Sequence, residues 1–198
     1  MDVGCGVGSF LDMTRNISCR QVAIEPCFPY QRQLLERGYT VHASLEDAEP
    51  TESNETDWAF SIRVIEHIRN PRDFLASIRK LLKPGARALI STPNRNDIMM
   101  KLLPDEFRPF FYRTAHRWYF DEDSLRKCSE RAGFNVLNTH QVHRYGMSNT
   151  LYCLRDKKPK GRNTLPGIDG MADQFCKCYL EGNKQGDTIY MELQVSDD

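Results

Sequence analysis

A doubly wound α/β fold, a mostly parallel sheet sandwiched between helices in three layers, is what this sequence predicts, and three observations carry that prediction. The chain opens Met1-Asp2-Val3-Gly4-Cys5-Gly6-Val7-Gly8, an acidic and an apolar residue followed by Gly-x-Gly-x-Gly. That pattern describes a strand ending in a tight turn that starts a helix, and a side chain would strain the turn and hold a ligand off the backbone. Strand and helix signals then alternate through the first half, which implies parallel strands covered on both faces. Finally, Glu25 closes the apolar run Val22-Ala23-Ile24, 17 positions after Gly8. A carboxylate at a strand tip can accept hydrogen bonds from both hydroxyls of a ribose. Turn and acid together describe a nucleoside-cofactor site.

The elements follow in order. Met1–Val3 is the first strand and 21–24 the second. Residues 28–37 are helical, with Pro29 tolerated in the first turn and Gly38 as the stop. A short third strand covers 39–43, and the acidic run 46–56 reads as a surface connection. The mostly apolar 58–62 is a buried fourth strand. Asn70 caps the next helix, Pro71 takes its first position, and Phe74, Leu75, Ile78, Leu81 and Leu82 recur at helical spacing. Lys83-Pro84-Gly85 ends it before a fifth strand at 86–91. Asp121 caps a helix to Ala132, Gly133 stops it, and 134–142 is the sixth strand. The seventh, 187–195, alternates Ile189, Met191, Leu193 and Val195 on one face. The 44 residues between the last two strands, 143–186, exceed what a hairpin needs and hold a helix at 171–180.

Composition narrows the class. At 198 residues the chain suits a single domain with a real core. Lysine plus arginine equals aspartate plus glutamate, 27 each, so no overall field draws in nucleic acid or a membrane surface. No apolar run approaches the roughly 18 residues of a membrane span, and no signal-peptide pattern opens the chain. The seven cysteines are odd in number and scattered, and Cys176-x-Cys178 has the wrong spacing for a zinc ribbon or redox pair. They read as reduced thiols of a cytoplasmic protein. The basic stretch Arg155 to Arg162 reads as a solvated loop.

The glycine turn, Glu25, and a helix closing in Leu-Lys-Pro-Gly before a strand ending in Ser-Thr-Pro-Asn resemble the class I S-adenosylmethionine (SAM)-dependent methyltransferases. The resemblance spans about 90 residues. It implies the strand order 3-2-1-4-5-7-6 with the seventh antiparallel, SAM as cofactor, and a lid over the acceptor at about 94–120. It also implies one or two helices ahead of the first strand, so the chain reads as N-terminally shortened. Carried over by position, Asp2 faces the ligand's ammonium group through water. Gly4, Cys5, Gly6 and Gly8 form the turn under the methionine and ribose. Glu25, with Pro26 after it, takes the ribose, and Ser44 and Leu45 edge the adenine, with Glu46 also near. Ser9 departs from the Gly or Ala of the dinucleotide fingerprint, which weighs against a nicotinamide cofactor.

For chemistry the resemblance points to the end of the fourth strand, Arg63-Val64-Ile65-Glu66-His67. His67 is either a general base or packs beside the cofactor, and Arg63 joins the cofactor set, favours an anionic acceptor, or pairs with a nearby carboxylate. Relatives that methylate quinone-type catechols or RNA 2′-hydroxyls carry Glu-x-x-Glu-His and hold a divalent metal. Here Arg63 stands at the first position, a cation where a metal needs a carboxylate, so no metal is expected. His116, between Arg113 and the aromatic run Trp118-Tyr119-Phe120, is the second catalytic candidate, and Asn94 and Arg95 are lining candidates. The reading is methyl transfer to an oxygen, less readily a nitrogen, of a small polar acceptor, first a sugar or glycan precursor. The alternatives are a quinone-type or natural-product phenol, and a non-catalytic binding protein of the same fold.

Overall fold

The computed structural model describes residues 1–158 and 160–196. Its strands are β1 (Asp2–Val3), β2 (Val22–Ile24), β3 (Thr40–His42), β4 (Thr56–Ile62), β5 (Leu82–Pro93), β6 (Phe134–Val142) and β7 (Thr188–Val195). They form one sheet in the order β3-β2-β1-β4-β5-β7-β6, as the resemblance implies. Pairing is parallel from β3 to β5, and β7 runs antiparallel between β5 and β6. The helices are α1 (Ser9–Thr14), α2 (Phe28–Glu36), α3 (Leu45–Glu52), α4 (Pro71–Leu81), α5 (Ile98–Leu102), α6 (Pro104–Phe111), α7 (Glu122–Arg131), α8 (Met147–Asp156) and α9 (Gly170–Gly182). Among the described residues, no helix is long and apolar enough to cross a membrane.

The two faces of the sheet follow from strand alternation. Ala23 points toward α1 and α2, where it meets Leu11 and Leu34. Val22 and Ile24 point the other way, into the larger core with Leu45 of α3, Leu75 and Ile78 of α4, and Leu125 of α7. α4 is the clearest helix because its signals agree. The Asn70 side chain accepts from the Asp73 N–H, Pro71 starts the first turn, and Leu75, Ile78 and Leu81 are all buried. Each such side chain contributes about 1.5–3 kcal/mol relative to exposure.

Three elements depart from the sequence reading. Residues 45–52 form α3 rather than a loop: Ser44 accepts from the Asp47 N–H, and Leu45, Ala48 and Glu52 are buried despite Pro50 inside the helix. Burial of one face outweighs a poor composition. β5 starts at Leu82 rather than residue 86, and the Lys83-Pro84-Gly85 stop lies inside it. Thr56 pairs with Leu82 but Trp58 with Arg87, so two steps along β4 oppose five along β5 and the excess bulges out. α8 occupies part of the long segment before β7 and absorbs the first residues of the basic stretch. There Arg155 pairs with Asp156, and Lys157 reaches Glu106 of α6. Pro159 of that stretch lies outside the described residues.

Helical cover is uneven on the α1 face. A cavity of about 820 Å³ lies beside α1, walled by Phe10, Ile17, Trp58, Phe60 and Leu89. The Phe10 and Phe60 rings lie 4.6 Å apart, and Trp58 stays 39% exposed.

The turn after β1 is held by close packing. Gly4 has φ 76, and a Cβ there would sit 2.4 Å from Val64 Cγ2. Gly4→Ala is therefore expected to lower unfolding stability by about 2–5 kcal/mol, combining left-handed strain and overpacking. Urea denaturation checks this, and the loss should shrink in a Val64→Ala background, which removes the clash but not the strain.

Candidate functional site

The first half of the site is the glycine elbow and the tip of β2. Gly4 N–H donates to the Ile24 carbonyl (2.8 Å), fixing the turn against β2. Beyond it, Glu25 is buried and both of its carboxylate oxygens face backbone amides: Oε2 accepts from Gly6 N–H at 2.7 Å and Oε1 from Cys27 N–H at 2.8 Å. The Glu25 N–H donates to the His42 carbonyl, and its own carbonyl accepts from the Gln31 side chain. Each carboxylate oxygen keeps acceptor capacity beyond the one amide it binds. Gly6 has φ 55, and nothing lies within 4 Å of where its Cβ would be. The elbow is therefore open at the point where a ligand would lie on the backbone.

The other expected cofactor residues sort by position. Asp2 is buried on β1, and burial, reinforced by Glu25, pushes its carboxyl up to about 6. The Cys5 thiol is pushed up to about 12, chiefly by burial and then by Asp2 and Glu25, which rules it out as a nucleophile at neutral pH. Gly8 caps α1 with a left-handed backbone. Pro26 is exposed beside Glu25. The Ser44 hydroxyl caps α3, and Leu45 turns its side chain into the core, so what Leu45 offers an adenine is backbone.

Arg63 departs from the expected set. Its Nη2 donates to Thr188 Oγ1 at 2.7 Å, and it lies 3.9 Å from Asp187 Oδ1. Reaching from the end of β4 over β5 to β7, the side chain runs away from β1 and the elbow. The buried Asp187 carboxylate draws it there. Arg63 thus belongs to the second half of the site, a cavity of about 480 Å³ that it lines with Glu66, His67, Phe107, His116 and Arg144.

The loop after β4 and the segment after α6 are stitched together there. Arg117 and Trp118 N–H groups donate to the Glu66 carbonyl at 2.7 and 3.2 Å, and the Trp118 indole donates to the Ile68 carbonyl at 2.9 Å. The same stitching puts His67 Nδ1 2.9 Å from the Ala115 carbonyl. A carbonyl only accepts, so Nδ1 carries the proton and Nε2 of neutral His67 is left as a lone-pair site. His116 meets His67 edge-on, ring centroids 4.8 Å apart. Burial, then His67, lowers its pKa, and its buried Nδ1 has no partner. Glu66 is buried, its pKa is raised by burial, and its Oε2 is also without a partner. Glu66, His67 and His116 each present a donor atom within 4.8 Å of the others. The structure thus brings the two histidines together and supplies, through His116, a third donor that the Arg63 argument overlooked.

Asn94 and Arg95 do not line the cavity as expected. Asn94 is fully buried and uses its amide to tie Gln141 Oε1 (2.7 Å) to the Gly186 carbonyl (2.8 Å), while Arg95 is exposed. Sequence reading missed Asp97, His143, Arg144 and Asp187, all in the cavity wall. Only Asp187, an acid at the start of an alternating strand, left any trace, and nothing in the spacing pairs it with Arg63.

Comparisons with known proteins bear on the family and the fold. A family profile described as "Methyltransferase domain" matches residues 1–139. The chain is similar to a protein named ubiquinone biosynthesis O-methyltransferase from Roseobacter denitrificans, 28% identical over 150 residues. That match covers 70% of this chain and 60% of the relative, so the chain spans well under the relative's full length. A protein of the same name from Aeromonas salmonicida is 26% identical over 75% of this chain and 68% of that one. In fold the chain resembles a SAM-dependent methyltransferase from Thermotoga maritima described as a possible histamine N-methyltransferase. That likeness has a TM-score of 0.66 at 18% identity and covers 98% of this chain and 79% of that one. A putative methyltransferase from Bacillus halodurans gives 0.64 at 16% identity, covering 98% and 91%.

Asp97 gives this half of the site a pH signature. Burial, joined by the charge of Asp187, raises its carboxyl from an ordinary 3.8 to about 7. A group raised in the folded state supports folding while protonated. Its contribution is complete below about pH 4 and is lost as pH rises through about 7. Asp97→Asn can still accept from the Met99 N–H, a bond of 2.9 Å in the native chain. The variant should gain roughly 1–4 kcal/mol on the native chain between pH 4 and 8. Urea midpoints at the two pH values measure it.

Proposed function

This chain belongs to the class I SAM-dependent methyltransferases, and from that premise we propose that it transfers the SAM methyl group to a hydroxyl oxygen of a small acceptor held in the 480 Å³ cavity. His67 is the general base. The observation that carries this reading is the His67 Nδ1–Ala115 carbonyl contact, which leaves Nε2 free to take a proton beside the buried Glu66. The sulfonium already has a good leaving group, so alignment and exclusion of water supply most of the rate, on the order of 7–11 kcal/mol, and a positioned base adds about 10²–10⁴-fold. Asp2, Gly4, Gly6, Gly8 and Glu25 hold the cofactor.

A quinone-type phenol fits the acceptor better than the sugar first expected. Phe107, Phe110 and Phe111 wall the cavity and suit an aromatic ring, and the relatives' names concern quinone-precursor O-methylation. A second reading places a divalent cation on Glu66, His67 and His116. Two of their donor atoms are buried and unpartnered, and one carboxylate with two imidazoles suits a zinc-like rather than a magnesium-like ion. Such an ion would polarise the acceptor oxygen when bound. Full turnover of a catechol after exhaustive chelation supports the base alone, whereas loss restored by zinc or manganese supports the cation.

Calorimetric titration with SAM separates both readings from a non-catalytic binding protein. Glu25→Ala should weaken SAM binding by about 1.5–3 kcal/mol, the scale of charged hydrogen bonds, and unchanged affinity in a folded variant would remove Glu25 as the ribose partner. His67→Ala should lower turnover about 10²–10⁴-fold with SAM affinity nearly intact. Equal loss of both would return His67 to a packing role.

A further inference from the structure

Besides His67, the cavity is walled by charges that methyl transfer itself does not require. Arg63 sits on a left-handed backbone, φ 63, where a non-glycine residue is strained by about 1–3 kcal/mol and persists only if its surroundings impose it. Its N–H donates to the Ser91 carbonyl at 3.1 Å. Arg144, two residues past β6, lays Nε 3.0 and 3.2 Å from the two oxygens of Asp187, and its N–H donates to Asp187 Oδ2 at 2.8 Å. The Thr188 hydroxyl donates to Asp187 Oδ1 as well. One carboxylate, saturated by these donors, therefore stands between two guanidiniums.

The guanidiniums are far from saturated. A guanidinium presents five N–H groups. Among the described residues, Arg63 gives one nitrogen to Thr188, and the Arg144 side chain gives only Nε. Its two terminal nitrogens, on a side chain 46% exposed, make no hydrogen bond there, and the buried Nδ1 of His143, which also lines the cavity, has no partner either. Arg63 and Arg144 are close enough that each adds to the positive field at the other. Paired guanidinium forks of this kind match two oxygens of a carboxylate or a phosphate, which they bind bidentately.

We propose that Arg63 and Arg144 seat an oxyanion of the acceptor, a carboxylate or a phosphate group, so that the substrate is an anionic hydroxyl compound held by its charge at one end and by His67 at the other. This rests on the acceptor reading above. Asp97 and Glu66, the other acids lining the cavity, are both buried; an Asp97 oxygen caps Met99, and an arriving anion would favour the protonated form of either.

The test uses the full chain saturated with S-adenosylhomocysteine and titrated calorimetrically with benzoate and, separately, with inorganic phosphate. One of the two should bind saturably, and which one identifies a carboxylated or a phosphorylated acceptor. Arg144→Gln should weaken that binding about tenfold or more, and Arg144→Lys, which keeps the charge beside Asp187 but loses the fork, by less. Circular dichroism and melting establish that the variants are folded. If Gln unfolds the protein, the Lys variant and Arg63→Lys carry the comparison. No binding of either anion, or equal binding by native and variant proteins, overturns the proposal. Turnover of neutral catechol without anion binding would overturn it and leave the methyltransferase reading standing. Anion binding that depends on Arg144, with no phenol methylated, would do the reverse.

Discussion

A single buried carboxylate joins the two sides of the glycine elbow. Glu25 ties the Gly6 amide on one side to the Cys27 amide on the other, and its own amide is tied to β3 through His42. The elbow after β1, the tip of β2 and the start of α2 are thereby fixed to one another before any ligand arrives. A turn with three left-handed glycines would otherwise have the most backbone freedom in the chain. Preorganisation of this sort lowers the ordering cost of binding, because the amides and the acid already hold the geometry they need.

The other end is organised differently, by backbone rather than by side chain. The carbonyls of Ala115, Glu66 and Ile68 collect an imidazole, two amides and an indole, and that ladder is what places His116 against His67. Neither histidine reaches the other through its own helix or strand. The pair exists because an irregular segment after α6 is pinned to the single 3₁₀ turn Ile65–His67 after β4. Buried polar atoms left unpartnered cluster in this region, as expected where function rather than stability sets the side chains.

Much of the fold was legible because local signals and burial agree. Asn70, Pro71 and the apolar face of α4 say the same thing, as do the alternating residues of β7. α3 was illegible because Pro50 and four acids argue for a loop, while the deciding contribution, burial of Leu45 and Ala48, is tertiary. The cofactor end could be read since its residues sit close together in sequence around one turn. The acceptor end could not: Arg63 and Thr188 meet across 125 positions, and no periodicity encodes that contact. The chain neighbours of Arg63 point to the cofactor, whereas its guanidinium reaches Thr188 and Asp187 at the start of β7, two strands away.

The insertion before β7 leaves and returns at one point. Val142 and Thr188 are cross-strand partners, so the intervening segment is anchored at adjacent positions on a completed hairpin. Lengthening or replacing such a loop changes its closure entropy only logarithmically and leaves the strand ladder intact. Arg144 and Asp187 stand just inside those two anchors. The excursion that carries α8, α9 and one flank of the cavity thus springs from a single rung of the β6–β7 ladder.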